Sequence, residues 1–262
     1  MSSTLNYRED IDGLRAIAVS SVVLYHFGIA GFGGGYVGVD IFFAISGYLI
    51  GSIVFTQLGK NKFSFSNFYI RRIRRLFPAS FAMTVFALLV GYRLLLPAEF
   101  RELGQSILAS TLYMSNVLFY MKAGYFDSAS HMKPLLHTWS LSAEEQFYLI
   151  FPLAAWLCYR YAKRAMVAFF SIACLASLIA AAVYIHKDQS AVFYLYPFRA
   201  WEMFIGVVVG ISKVSFGKLN ENRLSSNGLA LIGLALVCYP ILFYTKDTLF
   251  PGLAALSPCV GT

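Results

Sequence analysis

The sequence contains few charged residues. Only 13% of its 262 residues are charged, whereas 58% are hydrophobic, and the mean hydropathy is +0.65. Because a soluble domain carries about 25% charged residues, this composition excludes an ordinary soluble protein and indicates a membrane protein. The apolar stretches follow one another without a long polar block, so we predict one polytopic domain over residues 1–262.

Paired cysteines and a secretory signal are missing as well. Each of the four cysteines lies alone in an apolar segment: Cys158, Cys174, Cys238 and Cys259. Their spacing fits neither a zinc site nor a redox pair, so we expect packed thiols and no bound metal. Residues 1–13 lack the basic region and the cleavage site of a signal peptide. The first apolar segment is therefore predicted to remain as a membrane anchor.

Positive charge is concentrated in short segments of the chain. The formal net charge is +8, and six cations with no acid lie between Leu58 and Arg75. A basic surface can indicate nucleic-acid binding, but a basic loop between apolar segments follows the positive-inside rule. We therefore expect a cytoplasmic loop here and no nucleic-acid partner.

Apolar segments of about 20 residues are long enough to cross a bilayer as a helix. The predicted spans are 14–32, 39–57, 78–96, 142–158, 165–185, 193–212, 228–244 and one that begins near residue 253. A further stretch, 103–121, is ambiguous. Only if it does not cross do all the basic loops face the cytoplasm, with residues 186–191 outside.

This charge pattern completes the predicted fold class. We predict an all-α polytopic transmembrane helix bundle with seven to eight spans in this chain and a cytoplasmic N-terminus. Residues 97–140 form an extracytoplasmic excursion, in which 103–121 is an interfacial or re-entrant helix.

Arg15 and His26 are the two basic residues of the first predicted span. Eleven residues of α-helix advance about 16 Å with an angular offset of about 20°, so both side chains share one face. We expect Arg15 at the cytoplasmic end and His26 roughly halfway through the membrane. A neighbouring helix can satisfy such a histidine. However, ionisable residues inside membranes are more often functional, and a neutral imidazole is the commonest general base.

The segment FYIRRIRRLFP carries four arginines: Arg71, Arg72, Arg74 and Arg75. Helical spacing puts Arg71, Arg74 and Arg75 on one face. Guanidinium groups suit phosphate oxygens, and such a cluster is also typical of helices that bind anionic lipid heads. Both interpretations stay open. Pro78 favours a helix start, so we expect a short surface helix before it that turns into the third span.

The segment LLHTWSLSAEEQFYLIFP opens the fourth predicted span. Ser142 and Glu145 fit a capping box, which explains Glu145 by helix capping. Glu144 enters the apolar helix on another face and is a candidate functional carboxylate. The predicted topology puts this end outside, opposite the arginine cluster. His137 and Trp139 lie just before it and are candidates for the lip of a site for a polar or sugar ligand.

Smaller polar features have structural explanations. Asp40 opens the second span, and Ser46 and Gly47 within it favour close helix packing by small residues. Arg199 and Glu202, spaced i,i+3 near the start of a span, are expected to form an ion pair.

Five successive segments resemble the signatures of membrane-bound acyltransferase family 3, the bacterial O-acetylases of lipopolysaccharide, peptidoglycan and exopolysaccharide. The segments are DGLRAIAVSSVVLYHF, GGYVGVDIFFAISGYLI, FYIRRIRRLFPA, LLHTWSLSAEEQFYLIFP and FRAWEMFIG. The likeness runs from about residue 7 to the end of the chain. Any one motif is weak, but five in order are highly specific as a set.

The resemblance assigns roles residue by residue. The family's Arg/Lys-x10-His motif falls on Arg15 and His26. Its Arg-x-x-Arg motif falls on Arg71 and Arg74, or in the shifted frame on Arg72 and Arg75. The acidic position of its Trp-Ser-Leu-x-x-Glu motif falls on Glu144, with Trp139 and Ser140 before it.

The resemblance also implies substrates and a location. The donor is an acyl-CoA, usually acetyl-CoA, with no permanently bound cofactor, and the acceptor is a hydroxyl of a cell-envelope glycan. The family has about ten transmembrane helices in the bacterial inner membrane, so this chain is expected to be a truncated form. Some members carry an SGNH-type hydrolase-like domain, which is not expected here.

These roles combine into a hypothetical mechanism. Arg15 and the arginines of the cluster hold the CoA phosphates, and the pantetheine arm runs along the helix toward His26. His26 acts as general base on the acceptor hydroxyl or on an intermediate nucleophile. Glu144 orients or stabilises the imidazolium if the fold brings the fourth span beside the first. His137, Trp139 and Ser140 are the candidate acceptor-binding residues.

Two other classes of function compete with this reading. In a proton-coupled transporter, His26 and Glu144 would form a relay, but transporter sites usually lie between related halves, and the sequence shows no paired halves. In a purely structural membrane subunit, the arginines would bind only the lipid bilayer.

Overall fold

The computed structural model describes residues 8–123, 133–216, 223–245 and 247–262. Within these ranges the chain is helical, and none of the described residues forms a strand, so the predicted all-α class is confirmed. The helices are α1 (Glu9–His26), α2 (Gly38–Gly59), α3 (Phe65–Leu94), α4 (Pro97–Thr111), α5 (Ser115–Lys122), α6 (Thr138–Tyr161), α7 (Met166–Tyr184), α8 (Gln189–Tyr194), α9 (Tyr196–Phe216), α10 (Arg223–Phe243) and α11 (Leu256–Gly261). Short 3₁₀ turns lie at Gly35–Val37, Lys163–Ala165 and Gly252–Ala255.

The helices fall into two compact units. Unit 1 comprises Met1–Ile53, Arg164–Gln189 and Ala200–Thr262, and unit 2 comprises Val54–Lys163 and Ser190–Arg199. Unit 1 therefore contains α1, α7, α10 and α11, and unit 2 contains α3, α4, α5 and α6. The remaining helices, α2, α8 and α9, contribute residues to both.

Close backbone contact between α2 and α9 builds the core of unit 1. A Cβ atom added to Gly47 would collide with the carbonyl oxygen of Met203, and one added to Gly206 would collide with that of Ala44. Ser46 beside them is buried. The prediction of close packing by small residues is therefore confirmed at Gly47, because only hydrogen fits there.

Helix α1 ends earlier than the sequence predicts. His26 is its last residue, so His26 does not lie halfway along a span that runs to residue 32. The reason is the glycine-rich segment that follows, in which Gly28 and Gly31 adopt positive φ angles of 67° and 87°. Such left-handed residues end α-helices.

Helix α3 is one continuous helix of 30 residues with Pro78 inside it. The expected break before the third span is therefore wrong. The helix starts thirteen residues before the proline, where the Ser64 hydroxyl accepts a hydrogen bond from the Asn67 N–H at 3.4 Å. A proline inside a helix removes one backbone hydrogen bond, but its fixed φ is a helical value, so the turns on both sides can continue.

The ambiguous stretch 103–121 does not form one helix. Helices α4 and α5 have 15 and 8 residues and are separated by Tyr113, which has a φ of 54°. A helix needs about 20 residues to cross a bilayer, so neither can cross alone. This agrees with the prediction that the stretch is not a spanning helix.

The described residues include three helical segments that are long and apolar enough to cross a membrane: Gly35–Gly59, Phe65–Leu94 and Lys163–Tyr184. The predicted count of seven to eight spans stays a prediction. Large apolar side chains are exposed on these segments, such as Phe86 (69%) on α3 and Ile172 (66%) on α7. Soluble proteins do not expose apolar faces of this extent, whereas lipid-facing helices do.

Candidate functional site

Helix α1 carries the first pair of predicted site residues. Arg15 is partly exposed and lies 3.4 Å from the Asp12 carboxylate, one turn earlier. His26, at the last position of the helix, is exposed. Since both residues lie within one continuous helix, the predicted shared face and the separation of about 16 Å follow from helical geometry.

One nitrogen of the His26 ring is fixed by the backbone. Nδ1 lies 2.7 Å from the carbonyl oxygen of Val22. Because a carbonyl oxygen only accepts hydrogen bonds, the neutral ring carries its proton on Nδ1, and Nε2 keeps a lone pair. The ring also meets Tyr25 edge to face at 5.3 Å between centroids. In this tautomer Nε2 is the nitrogen that can accept a proton.

A row of aromatic rings in unit 1 begins at His26. Tyr25 contacts Tyr36 at 5.3 Å, and Tyr36 contacts Phe250 at 4.8 Å, both edge to face. The Tyr36 hydroxyl donates to the carbonyl oxygen of Thr245 at 3.1 Å. These contacts hold the end of α1 against the turn that follows α10.

A cavity of about 400 Å³ lies beside the beginning of α1. Its lining is mainly apolar and includes Ile11 and Leu14, together with the polar residues Arg8, Asp10 and Tyr48. Arg8 forms an ion pair with Asp10 and donates to the Tyr48 hydroxyl at 3.1 Å. The Arg8 hydrogen bond holds the pKa of Asp10 below its usual range, and the same bond raises the pKa of Arg8.

In unit 2, helices α3 and α6 pack antiparallel. Tyr69 donates its hydroxyl to the carbonyl oxygen of Leu149 at 3.1 Å. Further along α3, Met83 Sδ lies 3.0 Å from His137 Nε2, just before α6 begins. The first turns of α6 therefore lie beside the middle of α3.

This packing brings Glu144 close to the arginine cluster. The Arg72 guanidinium lies over the Tyr148 ring, 4.9 Å from Cζ to the ring centroid. The Tyr148 hydroxyl in turn donates to Glu144 Oε1. Glu144 is thus one side chain away from Arg72, which corrects the expectation that it lies opposite the cluster. The cause is the length of α3: the arginines lie within its first half, and α6 begins near its middle.

The four arginines have different surroundings. Arg71, Arg74 and Arg75 are exposed, whereas Arg72 is half-buried between two aromatic rings. Besides Tyr148, the Phe68 ring lies 5.9 Å from its Cζ atom. Three guanidinium groups are therefore available for a phosphate ligand, and the fourth is packed.

The candidate acceptor-binding residues lie at the start of α6. Trp139 is only 7% exposed, and its ring centroid is 4.6 Å from that of Phe193 and 5.5 Å from the Arg199 guanidinium. His137 is exposed, and its carbonyl oxygen accepts from the Ser140 hydroxyl at 3.2 Å. Their predicted role in binding the acceptor stays a prediction.

The predicted capping box at Ser142 and Glu145 is wrong. Helix α6 already begins at Thr138, so both residues lie within the helix. The Ser142 hydroxyl instead lies 2.7 Å from the Ser115 hydroxyl and accepts from the Ser115 N–H at 3.3 Å. Ser142 therefore caps the first turn of α5 from a neighbouring helix.

Three charged side chains on α2 and α9 are fully buried. Asp40 is fully buried at the start of α2, and Arg199 and Glu202 are fully buried on α9. The ion pair between the latter two stays a prediction. Within the described residues, no group of three His, Cys, Asp or Glu side chains could hold a metal ion.

Sequence reasoning missed Tyr148. The residue lies in an apolar run, where a tyrosine ordinarily reads as a packed aromatic side chain. Its i+4 spacing from Glu144 was the available signal, because it puts the hydroxyl and the carboxylate on one face of α6.

Comparison with known proteins identifies similar chains. A family model described as an acyltransferase domain matches residues 8–261. The chain is 37% identical over 211 residues to "Putative peptidoglycan O-acetyltransferase YrhL" of Bacillus subtilis, covering 78% of this chain and 33% of that protein. It is 46% identical over 149 residues to the peptidoglycan O-acetyltransferase OatA of Listeria monocytogenes, covering 56% of this chain and 24% of that protein.

A third relative is of similar length to this chain. It is an "Uncharacterized protein" of Haemophilus influenzae, 32% identical over 233 residues, with 86% of this chain and 95% of that protein covered. The chain thus spans about a third and a quarter of the first two relatives and nearly all of the third. No solved structure matches it.

Proposed function

Because this chain belongs to the acyltransferase family whose model matches residues 8–261, we propose that it is a membrane O-acetyltransferase. In this proposal an acetyl group passes from cytoplasmic acetyl-CoA to a hydroxyl of an envelope glycan. Two relatives are named for peptidoglycan O-acetylation, which supports peptidoglycan as the acceptor. The protein would be a multi-pass protein of the bacterial inner membrane with a cytoplasmic N-terminus.

Helix α1 gives the main support for this activity. It carries a cation at Arg15 and, on the same face, His26, whose Nδ1 lies 2.7 Å from the Val22 carbonyl oxygen. A separation of about 16 Å along the helix suits a donor with a phosphate-bearing end and a distant thioester. Arg15 would contact the phosphates, and His26 would face the reacting carbonyl.

In the proposed step the acetyl group moves from the thioester of acetyl-CoA to the hydroxyl oxygen of the acceptor. His26 Nε2 removes the proton from the acceptor hydroxyl, and the oxygen attacks the thioester carbonyl carbon. The new C–O bond forms, the C–S bond breaks, and the CoA thiolate takes the proton from the imidazolium. The products are an O-acetyl ester and CoA, with neutral His26 restored.

The second set of roles belongs to residues of unit 2. We assign phosphate contacts to Arg71, Arg74 and Arg75, since their guanidinium groups are exposed. Arg72 would add positive charge beside them. Glu144 would stabilise charge in the reaction as a catalytic carboxylate.

We assign acceptor binding to the residues at the start of α6. His137, Trp139 and Ser140 would bind a sugar there. The exposed side chain of His137 supports this assignment most directly.

The test uses membranes from cells that express the protein. Labelled acetyl-CoA is supplied, and label in the envelope glycan is compared between wild type and His26→Ala. Removal of a general base lowers the rate about 10²- to 10⁴-fold, so label should nearly vanish. His186→Ala is the matched control, because His186 is exposed and has no assigned role, and it should transfer label like wild type.

Other outcomes separate the competing explanations. Undiminished label in His26→Ala would leave an acetyltransferase whose base lies elsewhere. No label in wild type, together with no retention of the solubilised protein on immobilised CoA, would contradict the acetyltransferase. It would favour a proton-coupled transporter that uses His26 and Glu144.

A further inference from the structure

Tyr148 contacts two groups of opposite charge with two different parts of its side chain. Its hydroxyl donates to Glu144 Oε1, one turn earlier on α6. Its ring faces the Arg72 guanidinium at 4.9 Å. The side chain is only 5% exposed, so packing leaves it little freedom to leave either partner.

We propose that Tyr148 is a positioning residue that fixes the Glu144 carboxylate relative to the Arg72 guanidinium. This inference rests on the function proposed above, in which Glu144 takes part in transfer. It adds a residue to the site and gives Arg72 a role different from that of the three exposed arginines.

The hydroxyl restricts the conformation of the Glu144 side chain. A glutamate has three rotatable χ angles, and ordering such a side chain costs conformational entropy. A hydrogen bond from a buried hydroxyl to a carboxylate is charge-assisted and therefore stronger than a neutral one. Glu144 is held in one rotamer by this bond before any substrate binds.

The ring contact strengthens the same hydrogen bond. A cation over the face of an aromatic ring is attracted by its quadrupole. It also withdraws electron density from the phenol, so the O–H becomes a better hydrogen-bond donor to Glu144. Arg72 thus acts on Glu144 through Tyr148.

The surrounding helices hold this arrangement in place. Phe68 lies on the same helix as Arg72, one turn earlier, and its ring is 5.9 Å from the guanidinium. Tyr69 ties α3 to α6 through its bond to the Leu149 carbonyl. The cation and the carboxylate are therefore both supported by packed side chains.

The first experiment tests the contribution of the Tyr148 hydroxyl separately from that of its ring. Tyr148→Phe keeps the ring over Arg72 and removes only the donor to Glu144. We expect kcat for acetyl transfer to fall roughly 10- to 100-fold, the value of a hydrogen bond to a charged group. The KM for acetyl-CoA should stay within about twofold, because the phosphate-binding arginines are untouched.

A matched control and a stability measurement accompany this variant. Tyr161→Phe changes a tyrosine of the same helix that is 77% exposed, and it should transfer like wild type. Thermal unfolding and retention on immobilised CoA are measured for both variants in detergent. A loss of kcat that is explained by unfolding or by lost CoA retention would overturn the positioning role.

A double-mutant cycle tests whether the hydroxyl acts through Glu144. Glu144→Asp shortens the side chain by one methylene and withdraws the carboxylate from the hydroxyl while keeping its charge. If Tyr148 works by positioning Glu144, Tyr148→Phe should lower kcat by less than about twofold in this background. An independent role for the hydroxyl gives the same fold loss in both backgrounds and overturns the inference.

The remaining outcomes distinguish a failure of this inference from a failure of the proposed function on which it rests. Transfer by wild type with an unchanged kcat in Tyr148→Phe would overturn the positioning role alone. Absence of both transfer and CoA retention in wild type would overturn the proposed function, and the inference with it.

Discussion

At the scale of the residue, the four arginines between 71 and 75 show the limit of a sequence motif. All four fit an Arg-x-x-Arg pattern in one frame or the other, and helical spacing alone does not choose between the frames. The structure separates them by burial: Arg72 is packed against two rings, and the other three are exposed. The burial of Arg72 depends on α6, which lies far away in the sequence. A local sequence pattern therefore cannot predict it.

Removal of two exposed arginines tests the phosphate contacts. Arg71→Ala combined with Arg74→Ala should lower retention on immobilised CoA at least about tenfold, since a hydrogen bond to a charged group contributes about 1.5–3 kcal/mol. The double variant Lys60→Ala with Lys62→Ala removes two exposed cations that have no assigned role. It should be retained like wild type. Equal losses in both variants would mean that general positive charge, rather than specific contacts, holds CoA.

The ion pair at the start of α1 predicts a pH dependence of stability. The pKa of Asp10 is lowered by Arg8, so the pair stabilises the fold above the unfolded pKa of about 3.9 and loses this contribution as pH falls through the folded pKa. The Asp10 side chain is 59% exposed, which limits the contribution to roughly 0.5 kcal/mol.

The check is a comparison with Asp10→Asn, in thermal unfolding of the solubilised protein. Wild type should be slightly more stable at pH 6, and the difference should shrink as pH falls below about 3.9 and vanish once pH is below the folded pKa of Asp10. A difference that persists or grows at low pH would show that the carboxylate does not stabilise the fold through its charge.

At the scale of the element, the order of the long helices followed from apolar segment length, but the short helices α4, α5 and α8 were not predicted separately. The ends did not follow, because tertiary contacts determine them. Ser142 and Glu145 fit a capping box, yet α6 starts at Thr138, whose hydroxyl is hydrogen-bonded to Ser110 of α4 and Ser115 of α5. Pro78 reads as a helix start, yet α3 has its cap at Ser64. Local signals of this kind mark possible ends, and packing selects among them.

The cap that Ser142 gives to α5 predicts a loss of stability. Ser142→Ala removes the acceptor of the Ser115 N–H and the hydrogen-bond partner of its hydroxyl. The free energy of unfolding should fall by about 1–2 kcal/mol, the usual cost of a lost cap or a buried hydroxyl partner. Thermal unfolding in detergent measures the change.

Ser66→Ala is the matched control for this cap. Ser66 is an exposed serine in the first turn of α3, so its loss should change stability by less than about 0.5 kcal/mol. If Ser142→Ala were as neutral as this control, α5 would not depend on the cap for its position.

At the scale of the whole molecule, composition and family resemblance carried most of the correct predictions. Low charge and long apolar segments predicted a helical membrane protein, and the described helices expose large apolar side chains as lipid-facing helices do. The meeting of Arg72, Tyr148 and Glu144 could not be predicted. This contact depends on where along α3 the helix α6 begins. The hydropathy of a sequence does not show at what depth in the membrane a helix starts.

The topology of the chain is the last prediction, and it determines whether the donor can reach the arginines. Positive loops stay in the cytoplasm, so Lys62→Cys should react with a membrane-impermeant maleimide only after the membrane is opened. His186→Cys lies in the loop predicted outside and should react in intact cells. The native chain is the control, because its four cysteines are buried or half-buried and should stay unlabelled.

Each alternative result corrects a different part of the topology. Protection of His186→Cys in intact cells would mean that residues 103–121 cross the membrane after all, although α4 and α5 are each too short to do so alone. Labelling of Lys62→Cys from outside would put the exposed arginines on the side without CoA. An enzyme that draws acetyl-CoA from the cytoplasm requires them inside, so this one label tests the orientation on which the whole proposed transfer depends.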